Sequence, residues 1–225
     1  MSGRVWFSGV MGNYLIGNKQ GLRHKYYGKD WTPAQHKLGV LDDKAFAAME
    51  RHAAGYALER SDFAEASAVF DKKCFSRVRD LFVVGGIFVV KERLAEVFAR
   101  FDLGDGGLVP FTIYQEDLTT PIQGKFYFLN LGARKRSFLP SESKNVQLVS
   151  TNKATGVETW KVNAWAEEGD VALSGAALGG ADLWVEEIVR SGLFMSEALA
   201  AALREAKFKT DYFELKECRI VEKAQ

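Results

Sequence analysis

At 225 residues, with 47% hydrophobic and 26% charged side chains, the chain can bury a core without disulfide or metal staples, and its composition excludes a disordered or fibrous protein. Lys and Arg number 30 against 29 Asp and Glu, and a net charge of +1 excludes the large uniform field that draws proteins to nucleic acid or anionic lipid. Cys74 and Cys218 stand far apart, with neither a CxxC nor a metal-ligand spacing, which reads as free thiols in a reducing compartment.

Near the amino terminus Ser8, Gly9, Gly12 and Asn13 break any apolar run of signal-peptide length, and no stretch approaches the roughly 18 apolar residues of a membrane span. The expected address is therefore cytoplasmic. Residues 1 to 41 are rich in glycine and aromatics, with short strands expected at 5 to 7 and 14 to 16. From Asp42 the apolar period becomes helical. Asp42 and Asp43 suit a helix start, and Phe46, Met49, Ala53, Tyr56 and Ala57 recur at three- and four-residue steps. A second helix is expected after Ser61, where Asp62 and Glu65 have capping-box spacing and Phe63, Ala66 and Phe70 form a stripe. Residues 42 to 76 thus read as an N-terminal helical pair.

Beyond Asp80 the pattern is that of strands. "LFVVGG" (81 to 86) is a short branched apolar run ended by two glycines. "LVPFTIYQ" (108 to 115), "KFYFLNLG" (125 to 132), "NVQLVS" (145 to 150) and "VETWKVNAW" (157 to 165) follow, the last two forming a hairpin around "TNKATG". Further strands are expected at 183 to 186 and within 212 to 222.

One phrase occurs twice. An ungapped offset of 105 residues pairs Leu94 with Leu199, Val97 with Ala202, Phe98 with Leu203 and Phe101 with Ala206, so both helices show the same i, i+3, i+4, i+7 face. Each follows an apolar triplet, Phe88-Val89-Val90 or Leu193-Phe194-Met195. Ser196 is a good N-cap, whereas Lys91 at the matching position is a poor one. The fold class this predicts is α+β: one largely antiparallel sheet packed by amphipathic helices, with the helical pair ahead of it. The expected division is a segment 1–78 and an α+β domain 79–225, together one compact unit.

A search for catalytic spacing finds none. His24, His36 and His52 form no HExxH, HxH or Cys/His ligand pattern, so no metal or other cofactor is expected. "LSGAALGG" (173 to 180) is neither a GxSxG elbow nor a P-loop. The acidic pairs Asp42-Asp43, Glu167-Glu168 and Glu186-Glu187 are sequence neighbours, which points their side chains apart rather than together.

Two segments suit binding better. Residues 18 to 37 mix Lys19, Arg23, Lys25 and Lys29 with Tyr26, Tyr27 and Trp31, a composition found at protein hot spots and on nucleic-acid surfaces. Arg23, Tyr26, Tyr27 and Trp31 are the candidate partner-binding residues, with aromatics packed on the domain and wet lysines as the simpler explanation. "GARKRSF" (132 to 138) is a basic turn of the kind usually left solvated.

The order of several motifs also carries a resemblance. "FVVKERLAEVFARFD" (88 to 102), "GKFYFLNLGARKRSFLP" (124 to 140), "WKVNAW" (160 to 165), "VALSGAALGGADLW" (171 to 184) and "GLFMSEALAAALREAKF" (192 to 208) resemble, in that order, immunity proteins of bacterial polymorphic toxin systems. The group is the immunity family first catalogued as a domain of unknown function and named for a myxobacterial protein, and the likeness spans residues 81 to 221. It implies an α+β, non-enzymatic cytoplasmic protein of interbacterial competition that binds and blocks a cognate toxin from a neighbouring gene, with no membrane or nucleic-acid partner. Asp182, Leu183, Trp184 and Ser196 match the family's most recognisable positions, where their character implies folding roles alongside Leu94, Phe98, Leu199 and Leu203. Lys91 departs from the expected serine. Two alternatives stand beside this: an enzyme that reverses toxin-inflicted modification, and a nucleic-acid-binding accessory protein using residues 18 to 37.

Overall fold

The computed structural model describes residues 3–13, 20–33, 43–206 and 213–222. Lys19, His36, Asp42 and the strand expected at 14 to 16 lie outside the described residues.

Two six-stranded sheets, each curled into a half-barrel, make up most of the molecule. The first contains β2 (Leu22–Lys25), β3 (Ala66–Val69), β4 (Leu81–Val84), β5 (Ile87–Lys91), β6 (Gly107–Tyr114) and β7 (Phe126–Asn130), in the spatial order β2-β3-β6-β7-β5-β4. The second contains β1 (Val5–Ser8), β8 (Arg134–Lys135), β11 (Ala172–Ser174), β12 (Leu183–Glu186), β13 (Leu193–Ser196) and β14 (Lys216–Val221), in the order β11-β14-β1-β13-β12-β8. A separate hairpin pairs β9 (Val146–Thr151) with β10 (Glu158–Val162). Among the described residues four α-helices accompany them: α1 (Asp43–Ala53), α2 (Lys72–Phe75), α3 (Glu92–Phe98) and α4 (Glu197–Glu205).

Period-two alternation distributes the strands between three cores. Along β4, Phe82 and Val84 face an inner core with Phe63, Phe111, Phe126 and Phe128, whereas Leu81 and Val83 face the opposite way. The inner core of the second half holds Val5, Phe7, Phe138, Trp184, Phe194 and Cys218. Between the two sheets lies a shared core, where Leu94 and Phe98 of α3 meet Leu199 and Leu203 of α4, all fully buried. The apolar stripes thus face each other across the centre. Gly85 and Gly86, at φ +58° and +84°, supply the tight turn between β4 and β5 that a side chain would strain.

The halves are related strand by strand. β3 runs parallel to β6, and β11 parallel to β14; β6 pairs with β7 as β14 pairs with β1; β7 pairs with β5 as β1 pairs with β13. The small contacts repeat as well. Glu92 N donates to Lys125 O and Glu197 N to Arg4 O, while Lys125 and Arg4 each form an ion pair with the matching glutamate at 2.5 and 3.0 Å. Lys91 N donates to Asp80 O as Ser196 N does to Asp182 O. The 105-residue offset is therefore a repeated half-barrel, in which β1, from the other end of the chain, takes the place β7 has in the first half.

This architecture overturns the expected α+β class in two respects. Strand outweighs helix by 35% to 22%, in three sheets rather than one, so each repeated helix covers its own sheet instead of sharing one. Nor do the described residues form an N-terminal helical pair. Residues 60 to 62 form a single 3-10 turn, capped reciprocally by Glu59 and Asp62 rather than by Asp62 and Glu65, and the expected second helix is β3 followed by the one-turn α2. Every residue of β3 is buried, because it lies between β2 and β6 with both faces covered. Its Ala-Ser-Ala-Val run has no alternation to mark it as a strand, and tertiary context overrides its propensity. The first helix exists, but Ala45, Ala48 and His52 form its buried face, while Phe46 and Tyr56 are 48% and 47% exposed. The small-residue side wins because α1 lies close on the β4-β5 hairpin: Met49 covers Gly86, and His52 stacks edge-on to Phe88.

Candidate functional site

β2 is an edge strand, and the chain after it folds back so that Trp31 bridges Lys25. The Arg23 guanidinium lies 5.7 Å from the Trp31 ring centre, and Trp31 meets Tyr114 edge-on at 6.4 Å. Tyr27, 43% exposed, lies under Arg60 at 5.2 Å. Tyr26 packs against the inner core of the first half, its hydroxyl over Gly85. Lys25 pairs with Glu65 at 3.3 Å. The structure thus joins Arg23 to Trp31, gives Tyr27 a different cation and turns Tyr26 inward.

The basic turn at 132 to 138 is not simply solvated. Arg134 donates to the Tyr56 hydroxyl at 2.7 Å, with its guanidinium 4.2 Å from that ring. Lys135 Nζ sits 3.4 Å from the Trp184 ring centre and donates to the carbonyls of Ala177 and Ala181, both at 3.0 Å. Burial lowers its pKa from the usual lysine value, with Glu186, Asp182 and Asp102 opposing that shift.

Beside it, Glu186 is 1% exposed. One carboxylate oxygen accepts from Ser137 Oγ at 2.5 Å and Trp184 Nε1 at 2.9 Å, the other from the amides of Ser137 and Phe138 at 2.7 and 3.0 Å. Four donors account for this buried charge as an organiser of the 137–138 segment. Burial first, then Glu186, raises the pKa of the Cys218 thiol, which stays protonated and unreactive. Glu187, just beyond β12, is exposed and lies 3.9 Å from Arg134, and Glu167 and Glu168 are exposed on a turn.

The remaining motif positions also have folding roles. Ser196 Oγ accepts from Leu199 N at 3.2 Å, capping α4, and donates to Asp182 at 2.6 Å; Asp182 in turn accepts from Asp102 N at 3.0 Å. Lys91 makes no side-chain cap and instead donates to Val78 O. Among the described residues no group of three or more His, Cys, Asp or Glu side chains is placed to hold a metal ion. His24 Nδ1 lies 2.7 Å from Ser67 Oγ, and His52 is wholly buried, its pKa lowered by burial to about 3.

The exposed apolar surface that sequence reasoning missed is on the third sheet. β9 is almost entirely exposed, and its ladder with β10 shifts register at Thr159/Trp160, leaving Val149 as the extra residue. Leu148 and Val149 are adjacent residues on a strand whose two faces are both exposed from Gln147 to Thr151, so both side chains meet solvent. Val157 is exposed on the same hairpin, and Trp165, on the turn leaving it, is 70% exposed. The hairpin is anchored through Trp160, which exchanges backbone bonds with Ile188 and Arg190, and through Val146 and Val162 in the inner core. The strand alternation was legible; that both faces of β9 are exposed depends on tertiary packing. Compared with known protein families and with curated proteins, the chain matches neither.

Proposed function

We propose that this protein is an immunity protein that neutralises a cognate bacterial toxin by stoichiometric binding in the cytoplasm. The observation that carries the binding reading is the β9-β10 hairpin with Trp165: a firmly anchored element that exposes a tryptophan and three aliphatic side chains. Large aromatic anchors ringed by smaller contacts are the usual energetic centre of a protein interface, and exposed apolar clusters mark interaction sites. The ordered motifs at 88 to 208 supply the toxin as the partner. Occlusion requires no catalytic group, so the buried Glu186 and Lys135 serve the scaffold in this reading. No helix among the described residues is long and apolar enough to cross a membrane, which accords with a partner met in the cytoplasm.

The test is co-expression with the toxin encoded by the adjacent gene, read by growth and by size-exclusion chromatography of the mixture. Rescue with a one-to-one complex is expected, weakened about tenfold or more by Trp165→Ala or Leu148→Glu while the melting temperature of the chain stays unchanged. Rescue without a complex favours reversal of toxin damage, and no rescue rejects the immunity reading.

A further inference from the structure

A second surface of different chemistry lies at the far end of the first half-barrel. A pocket of about 180 Å³ opens between α2 and the β6-β7 connection, floored by Val69, Phe75 and Ile122 and rimmed by Ser76, Gln115 and Gln123. This volume is too small for the usual cofactor or metabolite but suits one large side chain. Its walls are preorganised. Ile122 N donates to Ile113 O and Gln115 N to Thr120 O, both at 2.8 Å, and Asp117 closes the loop tip by accepting from Thr119 N and Thr120 N. The Thr120 hydroxyl first, then those amides, lower the pKa of the Asp117 carboxyl to about 2, so the loop stays fastened throughout the neutral range.

The repeat indicates what kind of side chain fits. By strand register Gly124, beside the pocket, answers to Gly3 in the second half. There Leu178, on the 3-10 turn after β11, lies directly over Gly3, so the molecule covers that place with a leucine of its own. Counted from β3, the first half has Lys72 at the matching position. Lys72 lines the pocket without closing it, its ammonium paired with Glu116 at 3.0 Å.

Charge gives the rest of the partner's character. The nearby carboxylates are engaged: Asp71 accepts from Cys74 N as the cap of α2, Asp117 accepts from its own loop, and Glu116 holds Lys72. The side chains of Lys73, Arg77 and Arg79 are exposed on α2 and the turn after it. We infer that this pocket is a docking site for a segment of a partner protein that inserts one leucine-like side chain and flanks it with acidic residues. The inference is independent of the toxin reading and of the hairpin.

The test titrates the full-length, isotopically labelled protein with the acetylated, amidated peptide Glu-Asp-Leu-Asp-Glu, following backbone amide shifts. Shifts are expected at Phe75, Ser76 and Gln123, with affinity falling about tenfold when the peptide leucine becomes serine and again in the Lys73→Glu/Arg77→Glu chain. Ser76→Trp, which fills the mouth, abolishes them, and Trp165→Ala leaves them unchanged. Equal binding of the leucine and serine peptides, or no shifts at millimolar peptide, overturns the proposal. Tighter binding of a twelve-nucleotide single strand at the same amides also overturns it, in favour of nucleic acid.

Discussion

The two half-barrels share four ladders, one ion pair and the position of one helix, yet they are filled differently. At the places matched by register, the first half has Phe82 and Val84 where the second has Trp184 and Glu186, and Phe111 where the second has Cys218. One inner core is an aromatic cluster, with the Phe128 ring 4.8 Å from Phe63 and 4.4 Å from Phe111. The other is built around a buried carboxylate with four donors. Backbone topology is thus compatible with either chemistry, and the difference follows from connections. In the second half the 137–139 segment runs beside β11, with Phe138 bridged to Leu173, and Glu186 accepts from the amides of Ser137 and Phe138.

The largest effect is expected from making the halves alike at that position. Glu186→Val copies Val84 but abandons Trp184 Nε1 and the amides of Ser137 and Phe138, at a cost of about 1–3 kcal/mol for each buried donor left unpaired. Urea unfolding measures it, and an unchanged midpoint means the carboxylate is not the organiser of this half.

Next come the paired helices. Leu94→Ala and Leu199→Ala should each lower stability by about 2–5 kcal/mol, and because both side chains lie in the shared core, each should shift one common transition. Two separate transitions, one per variant, would show the halves to be independent folding units.

Acid sharpens the comparison further, since His52 belongs to the first half. Its pKa is about 3 when folded and near 6.5 when unfolded, so the unfolded chain takes up the proton first. Stability should fall by about 1.4 kcal/mol per pH unit below 6.5, level off near pH 3 and be insensitive to this group above 6.5. Denaturation of the wild type and His52→Gln at pH 7, 6 and 5 checks this. Parallel slopes would remove the histidine as the cause.

The smallest difference is at the helix starts. Ser196→Ala should cost about 1 kcal/mol through the lost cap, and Lys91→Ala less, because Lys91 caps nothing. Equal losses in thermal unfolding would mean that the Ser196 cap contributes no more than the Lys91 bond to Val78 O.

Legibility followed locality. The β4 run with its two glycines, the β9-β10 hairpin, β6, β7 and both amphipathic helices were readable because each shows its period within a few residues. β3 was not, since burial on both faces erases alternation, and its phenylalanine-alanine spacing imitates a helix. Of the candidate partner residues, Arg23 and Trp31 come together, but Tyr26 turns inward because the β4-β5 glycines leave room for its ring. The exposed Leu148 and Val149 had no local signal, as whether the faces of a strand are covered depends on elements distant in the chain.

The sequence by itself determined the repeated helices, the Ser196 cap, the missing cap at Lys91 and most of the strands, because hydrophobic period and capping chemistry act between near neighbours. Only the tertiary structure decided that there are two curled sheets instead of one, that β1 completes the second of them, and that Glu186 and Lys135 are held inside. Those outcomes depend on which distant strands pair and which donors each burial leaves to be satisfied.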